Sequence, residues 1–166
     1  MRALLFTVFA AVGMAGSALA QPPADTSNVQ VVLSPELQKK ATEEYGLKDV
    51  QRLADDLRKD AARELDRSGV LVGGRLELTL VDVKPNRPTF KQLGDKPGLS
   101  IESFGVGGAS IEGRAVSMDG TVTPVRYQWY ETDIRQSRYS STWSDAQYAI
   151  DRFASGLTRG NVYARR

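Results

Sequence analysis

RLELTLVDV (75–83), ASIEGRAVS (109–117) and TVTPVRYQWYETD (121–133) are the stretches that decide the fold. In the first, Leu76, Leu78 and Leu80 alternate with Glu77 and Thr79, the period of two expected of a strand with one wet face. At Val81 and Val83 the second face turns apolar as well, so the far end of this strand is either covered on both sides or bulged.

The other two stretches flank Met118-Asp119-Gly120, and parity chooses their register. A two-residue Asp-Gly turn sets Ile111 opposite Gln128 and scatters apolar groups over both faces. A three-residue loop with Gly120 in the left-handed region pairs Ser117 with Thr121, Ile111 with Tyr127 and Gly113 with Val125, which gathers the apolar groups on one face. Pro124 has no backbone donor and therefore belongs at an edge or a bulge.

Working outward, Val29, Val31 and Leu33 alternate as a short strand before Ser34-Pro35-Glu36, a helix start with Ser34 as N-cap. Gly46 interrupts that helix. A longer one follows over 47–67, with Val50, Leu53, Ala54, Leu57, Ala61 and Leu65 on one stripe and a dense mixture of charges on the other. After residue 133, Thr142 with Asp145 three positions on suggests a capping box for a second long helix, whose stripe is Trp143, Ala146, Ile150, Phe153 and Leu157. The spacing predicts an α+β two-layer sandwich, with two helices on one face of a mainly antiparallel four-stranded sheet in the order strand, helix, three strands, helix.

At the amino end, Arg2, an apolar run over 3–14 and Ala18-Leu19-Ala20 have the form of a cleaved secretory leader over 1–20. The run is shorter than the roughly 20 residues needed to span a bilayer. The chain is accordingly expected to comprise that leader, a flexible lead-in over 21–28, one domain over 29–158 and a mobile tail over 159–166, located in the periplasm or secreted. No membrane span is expected after cleavage.

Composition narrows the chemistry. There is no His and no Cys, which removes the usual zinc and copper sites, Ser-His-Asp catalysis and thiol chemistry. No metal or other cofactor is expected. The balance of 22 Lys and Arg to 20 Asp and Glu, without a dominant basic run, argues against nucleic acid as a partner. Gly105-Val106-Gly107-Gly108 lacks the Lys and the following helix of a phosphate loop, and reads as a tight turn or bulge.

Two places stand out. The connection over 84–108 is long for a compact domain, yet Pro85, Pro88 and Pro97 stiffen it, and Phe90, Leu93, Leu99, Ile101 and Phe104 give it anchors, so it is expected to be ordered, with 101–106 extended. Within it Asn86 and Arg87 are candidate binding residues, Arg87 as a fixed guanidinium suited to a carboxylate. Among the aromatic residues of the last third, parity and the helical stripe assign Tyr127, Trp129 and Trp143 to the core. Tyr139 and, on the face opposite the helices, Arg126, Gln128 and Tyr130 complete the candidate binding surface.

The leader, the NRPTF loop (86–90), the GGASIEG strand (107–113) and the closing TWSDAQYAIDRFASGL helix (142–157) together resemble uncharacterised small secreted envelope proteins of Gram-negative bacteria. In layout the chain is also similar to the periplasmic domains of outer-membrane assembly factors such as the curli secretion channel, although it lacks the acylated Cys usual in those. The resemblance implies no catalytic residues. The missing His and Cys, the absence of a recognised catalytic motif and the spare sheet face and edge point to a non-enzymatic binding or assembly role, with an envelope protein or a second copy as partner. The alternative is a cell-wall glycan hydrolase using Glu131 or Asp133 with Glu102 or Glu112, which requires carboxylates about 5 to 9.5 Å apart in a cleft.

Overall fold

A computed structural model describes residues 28–163, and the expected leader over 1–20 and all but the last residue of the expected lead-in over 21–28 lie outside them. Four strands form one sheet in the order β1-β2-β3-β4, where β1 is Val29–Leu33, β2 Arg75–Lys84, β3 Gly108–Val116 and β4 Val122–Tyr130. β1 runs parallel to β2 and the other pairings are antiparallel, so the sheet is mixed and mostly antiparallel.

The β3–β4 register is the one that parity selects. Ile111 pairs with Tyr127 and Gly113 with Val125, the Ser117 N–H reaches the Thr121 carbonyl at 2.9 Å, and Gly120 sits at a φ of 85°. The ambiguity at the end of β2 resolves as a bulge between Leu80 and Asp82. That bulge returns Val83 to the core face while Asp82 stays on the other.

Helix α1 (Pro35–Lys40) is capped by the Ser34 hydroxyl, which accepts from the Leu37 N–H, and the chain then widens into a π turn over Ala41–Tyr45. Gly46 breaks the direction before α2 (Leu47–Ser68). α4 (Ser144–Arg159) lies beside α2, and both helices cover the same face of the sheet. Between them and the sheet, Leu57, Ala61, Leu76, Leu80, Ile111, Ile150 and Phe153 are fully or almost fully buried. Each large apolar side chain so buried contributes about 1.5–3 kcal/mol. Along α2 charges pair three residues apart, as Asp60 with Arg63 and the buried Glu64 with Arg67.

Three expectations are corrected. The connection over 84–108 contains a further helix, α3 (Phe90–Asp95), closed by a capping box between Thr89 and Gln92, and within 101–106 residues 101–102 form a turn while 103–106 are irregular and join no strand. Thr142 does not cap α4: the N-cap position is Trp143, without a side-chain bond, and Asp145 points into the protein. The tail expected to be mobile from residue 159 is packed as far as Tyr163, which bridges to Val125, while Val162 is buried.

Candidate functional site

Where β2 ends, the chain enters Pro85-Asn86, and Asn86 is 2% exposed. Its backbone ties two loops, the N–H donating to the Thr142 carbonyl at 2.7 Å and the carbonyl accepting from the Gly105 N–H at 2.7 Å. The side-chain amide nitrogen has three acceptors in reach for its two hydrogens: Asp145 Oδ2 at 2.6 Å, Ser137 Oγ at 2.9 Å and the Gly105 carbonyl at 3.1 Å. Its oxygen accepts from the Asp145 N–H at 2.8 Å.

Asp145, in the first turn of α4, is 0% exposed. Besides Asn86, its carboxylate accepts from the Gly107 N–H at 2.9 Å and the Arg138 N–H at 3.1 Å. Gly107 passes so close that a Cβ there meets Asn86 Oδ1 at 2.8 Å and the Lys84 carbonyl at 2.7 Å. Only glycine brings its N–H to the carboxylate without displacing Asn86. The Arg138 guanidinium lies 3.7 Å from Asp145 Oδ1 and 3.8 Å from Glu131 Oε2, and 3.5 Å from the centroid of the Tyr148 ring. Burial pushes the Asp145 carboxyl up, but the Asn86 amide, the two N–H donors and the Arg138 charge outweigh it and hold the group below the ordinary carboxylate value.

This knot joins three loops, 85–87, 105–107 and 137–143, to the first turn of α4. Arg87 adds a second tie just outside it, its Nε donating to the Tyr139 carbonyl at 2.6 Å and a terminal nitrogen to the Ile101 carbonyl at 3.1 Å. The guanidinium also faces the Tyr139 ring, which stacks on Phe104 with centroids 4.2 Å apart and planes at 27°. Ile101, Phe104 and Tyr139 are nevertheless exposed, at 54%, 45% and 43%. The result is an apolar ledge on irregular backbone, held from beneath by buried polar bonds.

Of the candidate residues, then, Tyr139 stands on the ledge and Arg87 braces it through two carbonyls rather than a carboxylate. Asn86 is too buried to bind a partner directly and acts as a positioning residue. Arg126, Gln128 and Tyr130 lie apart from these, on the sheet face opposite the helices. There Arg126 pairs with Glu112 at 3.1 Å, Glu77 with Arg75 and Arg114, and Asp82 with Lys40. The Tyr130 hydroxyl donates to Asp82 at 2.8 Å, and burial together with this carboxylate pushes the Tyr130 phenol well up. That face is a lattice of internally matched charges.

Sequence reasoning missed Asp145, Ser137 and Gly107 as members of one cluster. The available signal was an acid standing where α4 turns its buried side, one turn before Ala149. Among the described residues no group of three or more metal-ligating side chains converges. Comparison with family models, curated proteins and solved structures finds no significant match for this chain.

Arg87→Ala removes two charged hydrogen bonds at a partly solvated site, so the expected loss is about 1.5 kcal/mol, the lower end of the range for such bonds. Urea denaturation of wild type and variant measures it. An unchanged midpoint refutes the bracing role.

Proposed function

We propose that this protein is a non-enzymatic binding or assembly protein of the bacterial cell envelope, periplasmic or secreted, which engages an envelope protein through the ledge of Ile101, Phe104 and Tyr139. One observation carries the reading. Exposed apolar side chains sit on loops that are fixed by a fully buried carboxylate and amide, an arrangement that holds a contact surface in its binding shape before the partner arrives. Scattered exposed apolar residues need no explanation, whereas a stacked pair held from below is a preformed contact. The leader-like sequence over 1–20 supports the compartment.

The hydrolase alternative draws less support. Asp133 caps the Arg135 N–H and pairs with its guanidinium at 2.7 Å, which holds its carboxyl below the usual range. Glu131 accepts from the N–H groups of Thr132 and Asp133, and Glu112 is engaged by Arg126. A general acid needs a carboxyl raised towards neutral pH, whereas that of Asp133 is held down, and Glu131 and Glu112 are already taken up by internal partners.

The test is a crosslinking pull-down from envelope extract with wild type and a Phe104→Ser/Tyr139→Ser variant. Both substitutions are at exposed positions, so the fold should persist by circular dichroism. The expected result is a retained protein that the variant loses. Equal retention by both moves the contact off the ledge, and hydrolysis of purified cell wall by wild type revives the alternative.

A further inference from the structure

The two edges of the sheet are treated differently. On β4 the Arg126 N–H donates to the Val162 carbonyl at 3.0 Å and Tyr163 bridges to Val125, so the chain's own carboxyl-terminal segment closes that edge, and Pro124 lies on the same strand. β1, with the sequence VQVVL, has no charge, proline, glycine or bulge, which are the usual devices that keep an edge from pairing. The Leu76 N–H donates to the Asn28 carbonyl and the Ser34 N–H to the Leu80 carbonyl, so the even-numbered residues of β1 turn their backbone groups to β2. The N–H and carbonyl groups of Val31 and Leu33 therefore point outward, and among the described residues no strand pairs with them.

The side chains point to the same conclusion. Val31 and Leu33 face the core layer yet are only partly buried, because no further strand among the described residues covers them. Val32 is 59% exposed on the polar sheet face, beside a shallow groove lined by Gln30, Glu77, Thr79 and Arg114. We infer that β1 pairs antiparallel with β1 of a second copy about a two-fold axis at Val32, giving a continuous eight-stranded sheet. In this register Val31 lies opposite Leu33 of the second copy and exchanges both backbone hydrogen bonds with it, and the reverse pair does the same. Val32 meets Val32 of the second copy at the non-hydrogen-bonded position, where Cα atoms approach to about 4.5 Å. The axis stands perpendicular to the sheet, so both helical layers remain on one side and the core faces run together. A second copy fits because the strand is uncharged and self-complementary: apolar groups meet apolar groups on both faces, whereas a charged strand would place its charge against Val31 or Leu33. The interface is separate from the ledge and does not depend on the partner bound there.

Sedimentation equilibrium of the purified protein from micromolar to submillimolar concentration is expected to show a monomer–dimer equilibrium. Val31→Pro deletes an outward N–H at the cost of one partly buried core-facing side chain, and Val32→Lys keeps every backbone group while placing like charges together. Each is expected to weaken association by about tenfold or more, with the thermal midpoint retained in at least the lysine variant. The chain has no cysteine, so Val32→Cys provides a single thiol that mild oxidation should convert to a disulfide-linked dimer, the paired Cα atoms lying within the roughly 4.4–6.8 Å that a disulfide accepts. Gln30→Cys, displaced along both strands from the axis, should crosslink far less. A protein that stays monomeric throughout, association that survives Val32→Lys, or equal crosslinking at both positions overturns the proposal. So does a monomer that dimerises only after deletion of residues 21–27, which assigns the edge to that segment.

Discussion

Asp145→Ala is expected to destabilise the protein by about 3–5 kcal/mol, the range for removing one member of a buried, hydrogen-bonded charged cluster. The substitution leaves the Asn86 amide and the N–H groups of Gly107 and Arg138 without their acceptor in a place that water does not reach. An unmet buried donor costs about 1–3 kcal/mol by itself, so the stated range already assumes that the loops shift to recover some of these bonds. Asp145→Asn tests the role of charge, since its oxygen still accepts but its NH2 faces donors. It too should be strongly destabilising. Urea denaturation measures both effects, and a loss below about 1 kcal/mol in the alanine variant contradicts the account of the knot.

The same carboxylate sets an acid limit. Its folded-state pKa lies below the ordinary value of 3.8, so the folded protein binds this proton less readily than the unfolded chain does. The stabilisation is therefore complete above the unfolded value and is lost as the pH falls below it through the folded value. Wild type should lose stability below about pH 4 more steeply than Asp145→Asn, which has no proton to gain at this site.

How much of this was written locally in the chain depends on whether the cause is local. The β3–β4 register was legible because a one-residue slip would move Tyr127 and Trp129 to the wet face, and because Gly120 permits only some turns. The stripes of α2 and α4 were legible for the same reason. The position of β1 was not, since a short apolar strand fits beside any neighbour, and its parallel placement next to β2 follows from the crossover through α2. α3 was hidden because Thr89 and Gln92 form their box inside a stretch whose prolines read as loop. The knot is harder still: Asn86 and Asp145 lie 59 positions apart, and nothing near either residue names the other. Asp145 could be read as a cap only while its neighbours were unknown. Hydrogen bonds between distant loops depend on the finished topology, so the ledge they hold in place is not written near Arg87 or Tyr139, although both residues stand out in the sequence.

Phe153→Ala should cost a comparable amount, about 3–5 kcal/mol for a core aromatic, but by a different route. Phe153 is 0% exposed on the inner side of α4, its ring centroid 5.9 Å from that of Tyr127 in β4, and truncation opens a cavity between helix and sheet. The loss falls on the contact between the two layers and so lowers the free energy of global unfolding. Asp145→Ala acts first on three loops, whose opening need not unfold the sheet. Native-state hydrogen exchange separates these cases. In Phe153→Ala the slowest amides of β2 and β3 should exchange faster, with loop protection lowered no more than theirs. In Asp145→Ala the N–H groups of Asn86, Gly105 and Gly107, all hydrogen-bonded in the wild type, should lose more protection than those strands do. If both variants change loops and strands in the same proportion, the loops open only when the whole domain does, and the ledge is part of the core's cooperative unit. If Asp145→Ala leaves the three loop amides protected, the knot does not hold the ledge, and the functional reading built on its rigidity fails with it.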